Sequence, residues 1–158
     1  MNTIESTRKV VGQFFERLGA GADTDAIASL FSDDVDWRVP GDGRIPWIGR
    51  KVGRAGVADF IRDLRRFTTP IRVSVRTIVT EGENAVAVLE LETRVTNTGR
   101  VIMTETAFDF TVRDGLIVRF RLFEDSYAVS QAVIDLPLDD RLIAIERERS
   151  AHGGVRRV

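Results

Sequence analysis

AVAVLELETRVTNTGRVIMTETAFDFTVRDGLIVRFRLFE, residues 85–124, is the stretch that decides the fold. Leu89, Leu91, Thr93 and Val95 alternate with Glu90, Glu92 and Arg94. Thr104, Thr106, Phe108, Phe110 and Val112 alternate with Met103, Glu105, Ala107, Asp109 and Thr111. Phe120 and Leu122 alternate with Arg119, Arg121 and Phe123. A period of two belongs to strands with one buried face. Asn97-Thr98-Gly99 and Arg113-Asp114-Gly115 separate the three runs, and connections this short force antiparallel neighbours. One more strand, Ile71 to Thr80, leads in through the turn Glu81-Gly82-Glu83-Asn84. The reading is a four-strand meander whose apolar set faces a concave side and whose charged set faces outward.

Outward from the meander the period changes. Upstream, residues 3–18 place Ile4, Val10, Val11, Phe14, Phe15 and Leu18 on one helical stripe, with Thr3 or Ser6 as cap and Gly19 and Gly21 as stop. Asp25 to Phe31 reads as a short second helix and Val35 to Val39 as a strand. Pro40, Gly41, Gly43, Pro46, Gly49 and Gly53 make residues 40–53 a loop. Ala55 to Phe67 reads as a third helix with Val57, Phe60, Ile61 and Leu64 inward. Downstream, Ser126 to Ile134 reads as a helix capped by Asp125 or Ser126. Residues 1–138 form one domain and 139–158 a charged tail. Helices followed by a meander give the α+β class: a curved antiparallel sheet wrapped over three helices into a cone, a cystatin-like barrel, around an apolar pocket.

Composition narrows the chemistry. The 158 residues suit one domain with a full core. Hydrophobic residues make 43% and charged residues 30%, and the net charge of -1 offers nothing to nucleic acid or an anionic membrane. There is no cysteine, which excludes disulfides, thiol catalysis and cysteine-ligated metal. The lone histidine, His152, lies in a Gly-rich tail, so histidine triads and histidine metal sites are excluded as well. Neither a metal nor an organic cofactor is expected. No apolar run reaches the length of a signal peptide or a membrane span, and a cytoplasmic location is expected.

Pro46-Trp47-Ile48-Gly49-Arg50-Lys51-Val52-Gly53-Arg54-Ala55-Gly56-Val57 resembles the SnoaL-like loop that enters the third helix. Gly115 to Asp125 resembles that family's last strand, and Asp135-Leu136-Pro137-Leu138 is similar to the end of limonene epoxide hydrolase. The order of elements is that of the nuclear transport factor 2-like superfamily, which also holds ketosteroid isomerase. The resemblance covers roughly residues 3–138. It implies an enzyme acting on a bulky apolar molecule by isomerisation, cyclisation, hydration or hydrolysis, or else a binding or dimerisation module without catalysis. It implies a homodimer too, since family members often pair through the outer face of the sheet. The reactive residues of the relatives are not kept. Those of ketosteroid isomerase fall on or near Val39, Thr106 and Phe14 or Phe15. Those of limonene epoxide hydrolase fall on Trp37, Val39, Leu122 and near Leu89 and Leu91.

The candidate site follows from strand parity. The acids and arginines of the meander share the outer parity and can pair across strands: Glu90, Glu92, Glu105 and Asp109 with Arg94, Arg119 and Arg121. They read as a solvated or dimer-forming face. Glu124 keeps the inward parity of Phe120 and Leu122, which makes it the candidate general acid or base, because apolar walls raise a carboxyl's pKa. Trp37, Trp47, Thr104, Thr106, Phe108, Phe120, Leu122 and Phe14 are the candidate ligand-binding residues, with Trp47 placed to cover the pocket mouth. Asp125 reads as a helix cap and Tyr127, the sole tyrosine, as a helix residue. Arg44, Arg50, Lys51 and Arg54 read as solvated loop, with anion binding as the alternative.

Overall fold

A computed structural model describes residues 2–134; Asp135–Leu138, the tail and His152 lie outside the described residues. The expected meander forms as β3 (Thr68–Glu81), β4 (Asn84–Val95), β5 (Val101–Arg113) and β6 (Leu116–Phe123), antiparallel throughout. Its last turn shows why. Asp114 and Gly115 both take positive φ, 49° and 76°, which matches the twist of the strands they join. The register sets Leu89 opposite Thr106, Leu91 opposite Thr104 and Phe108 opposite Leu122. Leu89, Phe110 and Phe120 are wholly buried on the concave side.

Two more strands extend the sheet beyond β6, giving the order β2-β1-β6-β5-β4-β3. β1 (Phe31–Val39) starts four residues before the expected Val35 and runs parallel to β6, with Trp37 beside Phe120. Phe31 therefore belongs to a strand, and the preceding helix, α2 (Thr24–Ala28), is correspondingly short. The glycine-rich loop hides β2 (Gly49–Val52), antiparallel to β1. Pro70 lies inside β3, which it can do because β3 is the sheet's outer edge.

α1 (Thr3–Gly19) and α3 (Gly53–Phe67) lie against the concave side. The cap of α1 is Asn2 rather than Thr3: its side chain accepts from Glu5 N at 2.9 Å, and Glu5 accepts in return from Asn2 N at 3.0 Å. Thr7 ties the helix to the β3–β4 turn by donating to the Gly82 carbonyl at 2.9 Å. α3 starts at Gly53, φ 64°, where a Cβ would stand 2.7 Å from the Asp33 carbonyl oxygen, so only glycine fits. α4 (Ser126–Val133) is capped by Asp125 and docked on the β4–β5 turn by Thr98, which donates to the Ala132 carbonyl at 2.6 Å. No helix among the described residues is long and apolar enough to cross a membrane.

The core is aromatic at its centre. Trp37 stacks on Phe120 at 3.9 Å and 19°, and meets Phe60 of α3 at 4.7 Å. Phe14 of α1 packs edge-on to Phe110 at 5.4 Å and to Phe31 at 5.9 Å. Burying each such ring contributes about 1.5–3 kcal/mol, with somewhat more from the edge geometry. This cluster fills one half of the cone and leaves the other half open.

Candidate active site

The open half holds a cavity of about 380 Å³ between the concave sheet face and the two long helices. Leu89, Leu91, Thr104, Phe108, Phe120 and Leu122 make the sheet wall. Phe14, Phe15 and Leu18 from α1 and Phe60, Ile61 and Leu64 from α3 face them. Both groups follow from periodicity: the strands point alternate residues inward, and each helix turns its apolar stripe to the sheet. The exposed lining residues Arg65, Pro70, Val73 and Val75 put the opening along β3. Trp47 lines the cavity but is buried, with its ring 6.3 Å from Phe67, so it serves as wall rather than cover.

Among the described residues, Glu124 is the only carboxylate in this lining. It stands one residue past the end of β6, half-buried, and its carboxyl makes no hydrogen bond among the described residues. Burial pushes its pKa up from 4.5 to about 7, with a smaller push from the neighbouring Asp125 carboxylate. Asp125 itself points away and accepts from Ala128 N at 3.0 Å. Near pH 7 the Glu124 carboxyl is therefore present in both protonation states within an apolar wall, the condition for donating and accepting protons in one cycle.

Seven of the candidate residues of the sequence meet at this cavity: Glu124, Trp47, Thr104, Phe108, Phe120, Leu122 and Phe14. Trp37 and Thr106 do not line it. Trp37 sits behind Phe120 and holds that ring in place, and its Nε1 has no partner among the described residues. Thr106 is buried, with its hydroxyl turned to the Leu89 carbonyl at 3.5 Å. The other helix residues of the lining and Val73, Val75 and Val129 are additions to the candidate set, although the helical stripes already turn Phe60, Ile61 and Leu64 inward.

Three of the four basic loop residues have internal partners. Arg44 pairs with Asp42 at 2.5 Å, Lys51 with Asp63 at 3.9 Å, and Arg54 donates to the Phe31 carbonyl at 2.6 Å. Tyr127 is 71% exposed on α4, away from the lining. No group of three His, Cys, Asp or Glu among the described residues is placed to hold a metal ion.

Residues 11–120 match the SnoaL-like domain family. The chain belongs to the SnoaL-like family. Solved structures share its fold. A nuclear transport factor 2-like protein from Burkholderia xenovorans superposes with a TM-score of 0.74 at 23% identity, over 85% of this chain and 100% of its own. TerC, co-crystallised with polyporic acid, gives 0.70 at 20% over 80% of this chain and 97% of its own. A hypothetical protein from Catenulispora acidiphila with a ketosteroid isomerase-like fold, in complex with trimethylamine, gives 0.66 at 13% over 82% and 95%. No curated protein matches the chain. This SnoaL-like chain carries Val39, Thr106 and Leu122 where the resemblance to better-known relatives implies reactive groups, and all three are buried within the core.

Proposed function

We propose that this chain is an enzyme that binds a bulky apolar small molecule in the cone and moves a proton on it with Glu124. The observation that carries the reading is a single carboxyl, among the described residues, in a mostly apolar lining, with its pKa raised to about 7 by burial. A carboxylate that takes a proton from one atom of the ligand and returns it to another closes an isomerisation or cyclisation without a co-reactant, and hydration or dehydration needs only water. The proposal includes a homodimer through the outer face of the sheet, where Val79, Met103 and Phe123 are exposed.

The test works with the natural substrate still unidentified. Apolar ketones and polyketide-like compounds are incubated with the protein in deuterated water, and deuterium uptake at carbon is read by mass spectrometry. Uptake that depends on the protein and is lost in Glu124→Gln supports the enzyme. Ligands that bind in the cavity yet exchange no faster than in buffer leave a non-catalytic binding module.

A further inference from the structure

The cavity contains a second polar group with an unmet need. Thr104 is 92% removed from solvent (8% exposed), lines the cavity, and its hydroxyl has no hydrogen-bond partner among the described residues. Buried hydroxyls are ordinarily paired, and an orphan calls for an explanation. Its neighbours show the contrast. Thr68, also in the lining, donates to the Leu64 carbonyl at 2.6 Å, and Thr106 turns toward the Leu89 carbonyl. Thr104 lies opposite Leu91, whose side chain shares its face, so its neighbour across the ladder offers only hydrocarbon.

The register locates this hydroxyl relative to Glu124. Ala107 pairs with Phe123 at the end of β6, so Glu124 leaves the sheet near Thr106, and Thr104 lies one inward position further along β5. Thr104 and Glu124 are two of the polar groups of this lining, which also includes Thr68, Thr93 and the exposed Arg65.

We infer that Thr104 is a specificity residue which holds an oxygen of an uncharged, mostly hydrocarbon ligand, a ketone or alcohol, bound in the cavity that Glu124 also lines. The inference rests on the reading of the cavity as a ligand site. It adds the substrate class: a pure hydrocarbon leaves the Thr104 hydroxyl unpaired, and an anion finds no cation in the depth of the wall among the described residues.

Two probes of one shape test it, 2-acetylnaphthalene and 2-isopropenylnaphthalene, which differ in a carbonyl oxygen against a methylene. Kd values from equilibrium dialysis are scaled by each probe's octanol–water partition. The wild type and Thr104→Ser favour the ketone by about three- to tenfold. Thr104→Val loses that preference, and its melting temperature rises by about 2–4 °C because a buried unpaired hydroxyl is gone. Thr104→Ala answers the same question should the valine variant fail to fold. A preference that survives in Thr104→Val, or no preference in the wild type while both probes bind, overturns the role of Thr104 and leaves the cavity reading intact. If neither probe binds the wild type, the reading of the cavity as a ligand site falls, and the inference with it.

Discussion

The two faces of the meander put a carboxyl group to opposite ends. On the outer face Arg119 meets Asp109 at 2.6 Å, Arg76 meets Glu105 at 3.0 Å and Arg72 approaches Glu92 at 3.8 Å. Arg121 bonds Asp36 and holds that carboxyl below its usual range. On the inner face one glutamate stands without a cation, and burial drives its carboxyl the other way. Crowded charge therefore marks the neutralised surface, and the solitary acid among phenylalanines and leucines marks the place where the proposed proton transfer would occur. Each of the following experiments can break that contrast or sharpen it.

The largest effect falls on turnover. Glu124→Gln keeps the shape of the side chain and removes its proton exchange, so deuterium uptake falls about 10²–10⁴-fold while ligand binding holds. Asp109→Asn, made on the outer face, leaves uptake unchanged. Equal losses in both variants would erase the distinction between the faces.

Next comes the packing that holds the inner wall. Trp37 is wholly buried and stacked on Phe120, so Trp37→Ala leaves a void and costs about 3–5 kcal/mol in urea unfolding. Trp47→Ala opens onto a cavity already present and costs less. The reverse order would mean that Trp37 faces ligand space and that Phe120 stands without its backing.

These two tryptophans show how far the sequence can be read. Strand parity sorts the meander's side chains onto the correct faces, because a register with one buried face admits no slip. It cannot tell lining from backing: Trp37, Phe120 and Thr106 share an inward direction, and only packing depth separates them. Partners across the outer face are equally hidden. Parity offers Glu105 a choice of Arg94, Arg119 or Arg121, yet a bulge between Val75 and Thr77 brings Arg76 to it, and Arg121 turns to β1, whose parallel place beside β6 no short turn announces. β2 is lost among glycines because a four-residue strand at an edge needs little propensity of its own. The cap Asn2 lies one residue ahead of the stripe it serves.

A smaller effect appears in stability against pH. Glu124 has its pKa raised from 4.5 to about 7 in the folded chain. Between those values the unfolded chain gives up the proton and the folded chain keeps it, so wild-type stability falls as pH rises through this window and levels off above it. Relative to Glu124→Gln, whose side chain does not titrate, the loss amounts to about 1–3 kcal/mol once solvent screening of a half-buried group is allowed for. Denaturant midpoints of both proteins at pH 4 and pH 8 measure it. Parallel midpoints would mean that Glu124 reaches bulk water, and the contrast between the faces would lose its inner half.

The smallest effect belongs to the outer face taken alone. Arg119 and Asp109 keep 40% and 25% of their side chains exposed, and an ion pair so open contributes no more than about 1 kcal/mol. Arg119→Ala in an isolated chain should therefore hardly move the unfolding midpoint. The proposed homodimer changes that expectation, because the pair lies on the same face as Met103 and Phe123, which are 68% and 48% exposed. If a second copy covers them, the pair is desolvated, its loss costs more, and the extra cost shrinks as the protein is diluted towards monomer. Light scattering at micromolar concentration and melting at two concentrations decide between the cases. A monomer whose midpoint ignores both dilution and Arg119→Ala ends the dimer proposal and leaves the outer face as a solvated charge network. A dimer weakened by the substitution gives that network a second use, setting the register between two copies whose cavities face away from the contact.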